Sequence, residues 1–187
     1  TPKKPHETNK IGVIIDSNIP QNIINVHLNT LNALKIVQGY DISDIIYTKK
    51  PVGVGIEIKN GISTGSLENP DTLLDAAFRL IKKGAQAIAV ICFFGEDSED
   101  ENYSNGCGID PIGGIEAVIS HLITKEFSIP AAHAPAFCEQ VIAQIRFQLH
   151  RNAHGNDCPL RRLLYSGAFI VAHLLHAYIH KFCQHLL

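Results

Sequence analysis

The chain has 187 residues, is 45% hydrophobic and 18% charged, and carries a formal net charge of -2. That balance describes a globular protein rather than a disordered one, and without a basic excess it offers no electrostatic footprint for nucleic acid. Five cysteines (Cys92, Cys107, Cys138, Cys158, Cys183) form no C-x-x-C pair, which argues against a disulfide framework or a zinc ribbon and suits a reducing compartment.

No secretory leader opens the chain, and the absence of any Met points to a processed protein or a piece of a longer one. Residues 1–9 are polar and read as a lead-in. Residues 11–15 are a continuous apolar run, as expected of a strand covered on both faces of a parallel sheet. It ends at Asp16-Ser17-Asn18, a polar strand end that suits a ligand. Pro20 opens a helix to about Gln38, with Ile24, Leu28, Leu31 and Leu34 on its apolar side.

Residues 42–47 and 52–58 are further strand candidates. Gly53 and Gly55 in the second suggest a bulge or a close backbone neighbour. Asn60-Gly61 carries the two-residue hairpin signature. Residues 62–67 read as a small polar loop. Asn69-Pro70-Asp71 marks a helix start, with Leu73, Leu74, Ala77, Leu80 and Ile81 as the buried stripe and Asp75 placed to pair with Arg79. Residues 87–94 are the most apolar strand candidate, hence central. The acidic segment 95–105 reads as a solvated loop, since it lacks the spacing of a calcium loop.

The stretch 106–135 is the most informative. A glycine loop meets a helix start at Asp110-Pro111, and Gly113 and Gly114 follow in the first turn. Two glycines there sacrifice roughly 1 kcal/mol each against alanine. Two readings account for them: an anion bound by free backbone N–H groups, or close packing against a neighbouring element. Ile112, Ile115, Val118, Ile119 and Leu122 form the predicted buried stripe. Glu116 and Ser120, four apart, share another face, and His121 follows on a third. Residues 129–132 read as a short strand with His133 near its C-terminal end, where ligands sit in open α/β sheets.

The predicted fold class is therefore α/β: a three-layer, mainly parallel sheet of Rossmann-like or flavodoxin-like type, with 11–15, 87–93 and 129–132 as neighbouring parallel strands. The α/β domain spans 10–137, and 138–187 forms a helical C-terminal extension. Within 160–187, Leu160, Leu163, Leu164, Val171, Leu174, Leu175, Tyr178 and Phe182 follow one helical face. His173, His176 and His180 follow the other, as a polar stripe rather than a metal site. No acidic or basic residue lies between Arg162 and Lys181, but that length barely reaches a membrane span and the histidines argue against one.

Several motifs together resemble the family called domain of unknown function 3326, found in bacteria, cyanobacteria and plants. These are Gly65-Ser66, then Asn69-Pro70-Asp71-Thr72-Leu73-Leu74, then Gly84-Ala85-Gln86-Ala87-Ile88-Ala89-Val90. The most specific is the run from Gly108-Ile109-Asp110-Pro111-Ile112-Gly113-Gly114 through Ile115-Glu116-Ala117-Val118-Ile119-Ser120-His121, closed by Ile129-Pro130-Ala131-Ala132-His133-Ala134-Pro135-Ala136. The resemblance covers 11–137 and ends there. It implies longer relatives, and a plastid stroma or bacterial cytoplasm as the compartment, but no activity. The unit 69–92 is also similar to aspartate/glutamate racemases, in which a strand-end cysteine transfers a proton. Here Cys92 has no second such cysteine and precedes Phe93-Phe94, so it reads as a buried core thiol.

Two functions follow from these readings. One is a binder of a small anionic ligand at the strand C-termini, with or without catalysis. In it Glu116 and His121 are the acid–base candidates, and Asp16, Asp110, Gly113, Gly114, Ser120 and His133 line the site. The other is a non-catalytic subunit of a larger assembly, such as a membrane-associated photosynthetic one, docked on a protein partner through the apolar helix at 160–187. The sequence names no substrate, no cofactor and no metal.

Overall fold

The computed structural model describes residues 9–95 and 107–136. The expected tail helix at 160–187, its protein partner and most of the acidic segment lie outside the described residues. Among the described residues six strands and three helices follow in order: β1 (Ile11–Ile15), α1 (Gln21–Gln38), β2 (Ile42–Tyr47), β3 (Val54–Lys59), β4 (Ile62–Leu67), α2 (Pro70–Lys82), β5 (Ala87–Cys92), α3 (Gly113–Phe127) and β6 (Ala131–Pro135). Four of the strands make one parallel sheet in the order β2-β1-β5-β6, and β3 and β4 form a separate antiparallel pair.

The chain leaves β1 in one direction for β2, then returns past β1 to β5 and on to β6. With right-handed crossovers that reversal puts α1 on one face and α2 with α3 on the other. The strands are accordingly apolar on both sides. Ile11, Val13, Ile15, Ala87, Ala89 and Ile91 pack with Ile23, Ile24, Leu31 and Leu34 of α1. Ile14, Ile88, Val90 and Ala131 pack with Leu73, Ala77 and Leu80 of α2 and with Ile115, Ile119 and Ile123 of α3. The expected three-layer α/β architecture and the parallel neighbours β1, β5 and β6 are present.

Some local expectations change. Residues 62–67 are not a loop but strand β4, paired with β3 from Val54↔Leu67 to Lys59↔Ile62. The Asn-Gly turn between them holds Asn60 at φ 50° and Gly61 at φ 75°, the left-handed pair that matches strand twist. Small residues here keep β4 thin so that α3 can lie close to it. Asn69 precedes α2 without capping it; its side-chain amide donates to the Pro51 carbonyl at 2.9 Å instead. The α3 stripe is rotated from the expected one: Ile115, Ile119 and Ile123 are buried, while Val118 is 37% exposed. Asp75 does meet Arg79, at 3.6 Å, and also meets Lys49 at 3.0 Å.

His27 is the unexpected member of the α1 core face, at 2% exposure. Burial disfavours its charged form and lowers it to about 4. The unfolded chain takes up a proton near the ordinary histidine value of about 6.5, which the folded chain does not do until pH is much lower. Stability is therefore full above that value and falls as pH drops toward the folded value. The expected loss from this group is on the order of 3 kcal/mol between neutral pH and pH 4. Urea unfolding across that range should show the slope, and His27→Leu should flatten it. An unchanged slope in the variant would assign the acid sensitivity elsewhere.

Candidate functional site

Three features stand at the C-terminal end of the sheet. The first is Asp16, just past β1, where adjacent connections leave for opposite faces of the sheet. It is 1% exposed. Its Oδ1 accepts from the Val52 N–H at 3.1 Å, the Asn18 N–H at 3.3 Å and the Thr48 hydroxyl at 3.5 Å, and its Oδ2 accepts from the Phe93 N–H at 3.4 Å. Both oxygens thus serve the protein's own loops. Beside it, Cys92 is fully buried, and burial followed by the Asp16 charge raises its thiol far above the ordinary range. It is a core thiol, not a nucleophile.

The second feature is the start of α3. Asp110 Oδ1 accepts from the Ile112 N–H at 3.0 Å, and the helix begins at Gly113 rather than at Pro111. The Gly114 N–H donates to Ser63 Oγ at 3.0 Å, and that hydroxyl donates to the Pro111 carbonyl at 2.9 Å. The Ile112 and Gly114 amides at the helix start are therefore engaged by the protein's own side chains. Packing accounts for Gly114. A Cβ on Gly114 would stand 2.1 Å from the Ser63 carbonyl oxygen, and one on Gly65 would stand 2.8 Å from Ile115 Cβ. The hairpin lies directly against the helix at Gly114, as the close-packing reading expects, whereas Gly113 meets only the Asp110 side chain.

The third feature joins Glu116 and Ser120 on α3 to His133 on β6. His133 Nε2 lies 3.3 Å from Glu116 Oε2, with both side chains 17% exposed. His133 Nδ1 is in short hydrogen-bond contact with the Ser120 hydroxyl, and Ser120 is 2% exposed. The geometry follows from the fold. Glu116 and Ser120 share a helical face one turn apart, and His133 stands on the side of β6 that α3 covers. A carboxylate, an imidazole and a hydroxyl in a line are the elements of proton transfer.

Of the eight sequence-derived residues, the structure brings Glu116, Ser120 and His133 together. Asp110, Gly113 and Gly114 form the helix start, and Asp16 forms a separate node. His121 is exposed on α3 and stands outside all three groups. Thr48 and Thr72 were not foreseen, and the sequence places Ser63 only within a small polar loop. Thr72 Oγ1 accepts from the Lys49 and Lys50 N–H groups at 3.0 and 3.3 Å, which pins the loop that reaches Asp16. Isolated hydroxyl residues carry no sequence pattern that marks such roles. Among the described residues no three His, Cys, Asp or Glu side chains come close enough to share a metal ion, and no helix is long and apolar enough to cross a membrane.

The fold and the line of side chains define a doubly wound α/β domain with a polar cluster under its last helix. The chain belongs to the family described as protein of unknown function DUF3326, whose family model matches residues 2–153. The match runs beyond 137, where the motif resemblance stops, and leaves 154–187 outside it. The chain is similar to an uncharacterized lipoprotein of Synechococcus sp., 39% identical over 137 residues, which is 71% of this chain and 38% of the relative. The chain thus spans less than half the length of that relative. No solved structure matches the chain.

Adjacent glycines give a direct test of the helix start. A Cβ on Gly113 meets only the Asp110 side chain, at 3.2 Å, whereas one on Gly114 meets backbone. Overpacking against backbone costs about 1–3 kcal/mol or more, while a tolerated Gly→Ala in a helix is neutral or stabilising. Gly114→Ala should therefore lower the unfolding free energy by at least about 2 kcal/mol and Gly113→Ala by less than about 1 kcal/mol. Equal effects in chemical denaturation would remove the close-approach account.

Proposed function

We propose that this domain binds a small polar molecule at the C-terminal end of its parallel sheet and moves a proton on it through the Glu116–His133 pair. The observation that carries this reading is the 3.3 Å approach of His133 Nε2 to Glu116 Oε2 with Nδ1 held by Ser120. A histidine fixed at both nitrogens beside a carboxylate with access to solvent is the minimal acid–base unit of many enzymes. Glu116, in the first turn of α3, lies near the C-terminal end of the sheet, the end at which open α/β folds place ligands. An anion at the α3 start receives less support, because the Ile112 and Gly114 amides are taken. Cys92 and Cys107 are both free, which favours a reducing compartment. The relative's name as a lipoprotein favours attachment at a membrane surface through a part of the longer protein.

Saturation-transfer NMR with a panel of hydroxy acids, keto acids, amino acids and amino alcohols tests the reading on the full chain. At least one compound should bind, with affinity reduced about tenfold or more by Glu116→Gln or His133→Gln, as expected for loss of a hydrogen bond to a charged group. His121→Gln should retain it. A panel with no binder, or a binder indifferent to both site variants, would leave the cluster as a helix–strand fastening.

A further inference from the structure

The two nitrogens of His133 are not equivalent. Nδ1 meets the hydroxyl of Ser120, a residue with 2% exposure, and Nε2 faces Glu116, where solvent reaches. A serine hydroxyl has one proton to place and accepts through its lone pairs. If Nδ1–H donated to Ser120, the hydroxyl proton would need another acceptor. Among the described residues the hydroxyl meets His133 Nδ1 and no other group. A buried donor without an acceptor is among the costlier defects a fold can carry. The opposite polarity, with Ser120 donating to Nδ1, satisfies both atoms.

We infer that Ser120 sets His133 in the tautomer protonated on Nε2, so that Glu116 is the group offered to a ligand and the ligand is a hydrogen-bond donor, a primary ammonium or hydroxyl compound, rather than an anion. This deepens the proton-handling reading above and rests on it. With Nδ1 occupied and Nε2–H turned to Glu116 Oε2, neither ring nitrogen is open to a ligand. Glu116 has a second oxygen, and among the described residues its carboxylate meets only His133. That oxygen accepts; it does not donate. An incoming carboxylate or phosphate would meet like charge, while an ammonium or hydroxyl would meet its acceptor. In a transfer step the ligand's N–H or O–H bond breaks, its electron pair stays on the ligand, and the proton goes to Glu116. His133 and Ser120 are positioning residues. They act by holding that carboxylate and directing its free oxygen outward.

The tautomer is read without any ligand, so its failure is separable from failure of the binding reading. Long-range proton–nitrogen NMR of the histidine rings, on the full chain, should show His133 with a pyridine-type Nδ1 and a pyrrole-type Nε2. Ser120→Ala should convert that ring to mixed tautomers while the backbone amide spectrum stays folded, and Ser120→Thr, which keeps the hydroxyl, should restore the single form. Titration with ethanolamine hydrochloride should shift the Glu116 side-chain carboxyl resonance, with sodium chloride and sodium acetate as controls that do not. Glu116→Gln should weaken ethanolamine binding about tenfold or more. A pyrrole-type Nδ1 in the wild type, or an unaltered tautomer in Ser120→Ala, would overturn the role of Ser120. A response to acetate but not to ethanolamine would overturn the ligand class. Silence toward the whole metabolite panel, with the tautomer as expected, would overturn the binding reading and with it the ligand class.

Discussion

The arrangement of the C-terminal end of the sheet depends on one buried carboxylate. Asp16 leaves β1 at the point where the connections on either side of it diverge, and such a point is normally open. Here its two oxygens take the Val52 N–H, from the segment leading into the hairpin, and the Phe93 N–H, from the segment leaving β5. Backbone donors buried at loop ends need partners, and each one left without costs about 1–3 kcal/mol. A carboxylate is an economical partner because it accepts several bonds and makes them charge-assisted. The segment that carries Val52 is therefore fixed to the sheet before the chain turns into β3. The hairpin starts from a defined place, and everything it touches inherits that placement.

What it touches is α3. The hairpin reaches the helix start so closely that Gly65 and Gly114 have no room for a Cβ, and Ser63 bridges the Gly114 N–H and the Pro111 carbonyl. Hydrogen bonds of this kind contribute only about 1 kcal/mol each. Their value lies in register, because they set where along β4 the helix begins. The first turn of α3 fixes Glu116, the second fixes Ser120, and the parallel ladder from Val90 to His133 fixes the imidazole. The path from Asp16 to the hairpin to α3 to Glu116 is thus continuous in packing.

This chain of dependence explains what was legible in the sequence. Continuous apolar runs at 11–15 and 87–94 pointed to strands covered on both faces, a pattern that suits a parallel sheet at that length. The spacing of Glu116 and Ser120 showed that they share a helical face, and the position of His133 after a short apolar strand put it within reach of them. Strand β4 was illegible because Ser63, Gly65 and Ser66 around Thr64 read as turn residues and interrupt any apolar alternation; their small size serves contact with α3, a tertiary demand that overrides local preference. The same demand made the Gly113-Gly114 pair ambiguous between a ligand and a neighbour. His27 was missed because a histidine among aliphatic residues on a helix looks like a polar-face residue until its surroundings are known. The placement of His121 follows the helical periodicity: one residue beyond Ser120 is a rotation of about 100°, which carries it from the covered face to the exposed one.

The polar line beneath α3 resembles a serine–histidine–acid arrangement with the nitrogens exchanged, and the exchange matters. In that arrangement the serine is the exposed end, its hydroxyl meets Nε2, and the acid orients the ring from behind through Nδ1. Here the hydroxyl is the buried end and the carboxylate reaches solvent. Ser120 cannot be presented to a substrate without unpacking α3 from the sheet, so nucleophilic attack is the wrong chemistry for it. As a fastening between helix and strand the line would also be uneconomical. Leucine or isoleucine at those positions would join the adjacent Ile115, Ile119 and Ile123 layer without burying a hydroxyl and an imidazole nitrogen. Buried polar groups generally give less stability than well-packed apolar ones of similar size, even when fully paired. The three polar side chains therefore stand in series from a buried hydroxyl to a part-exposed carboxylate, an order that packing alone does not require.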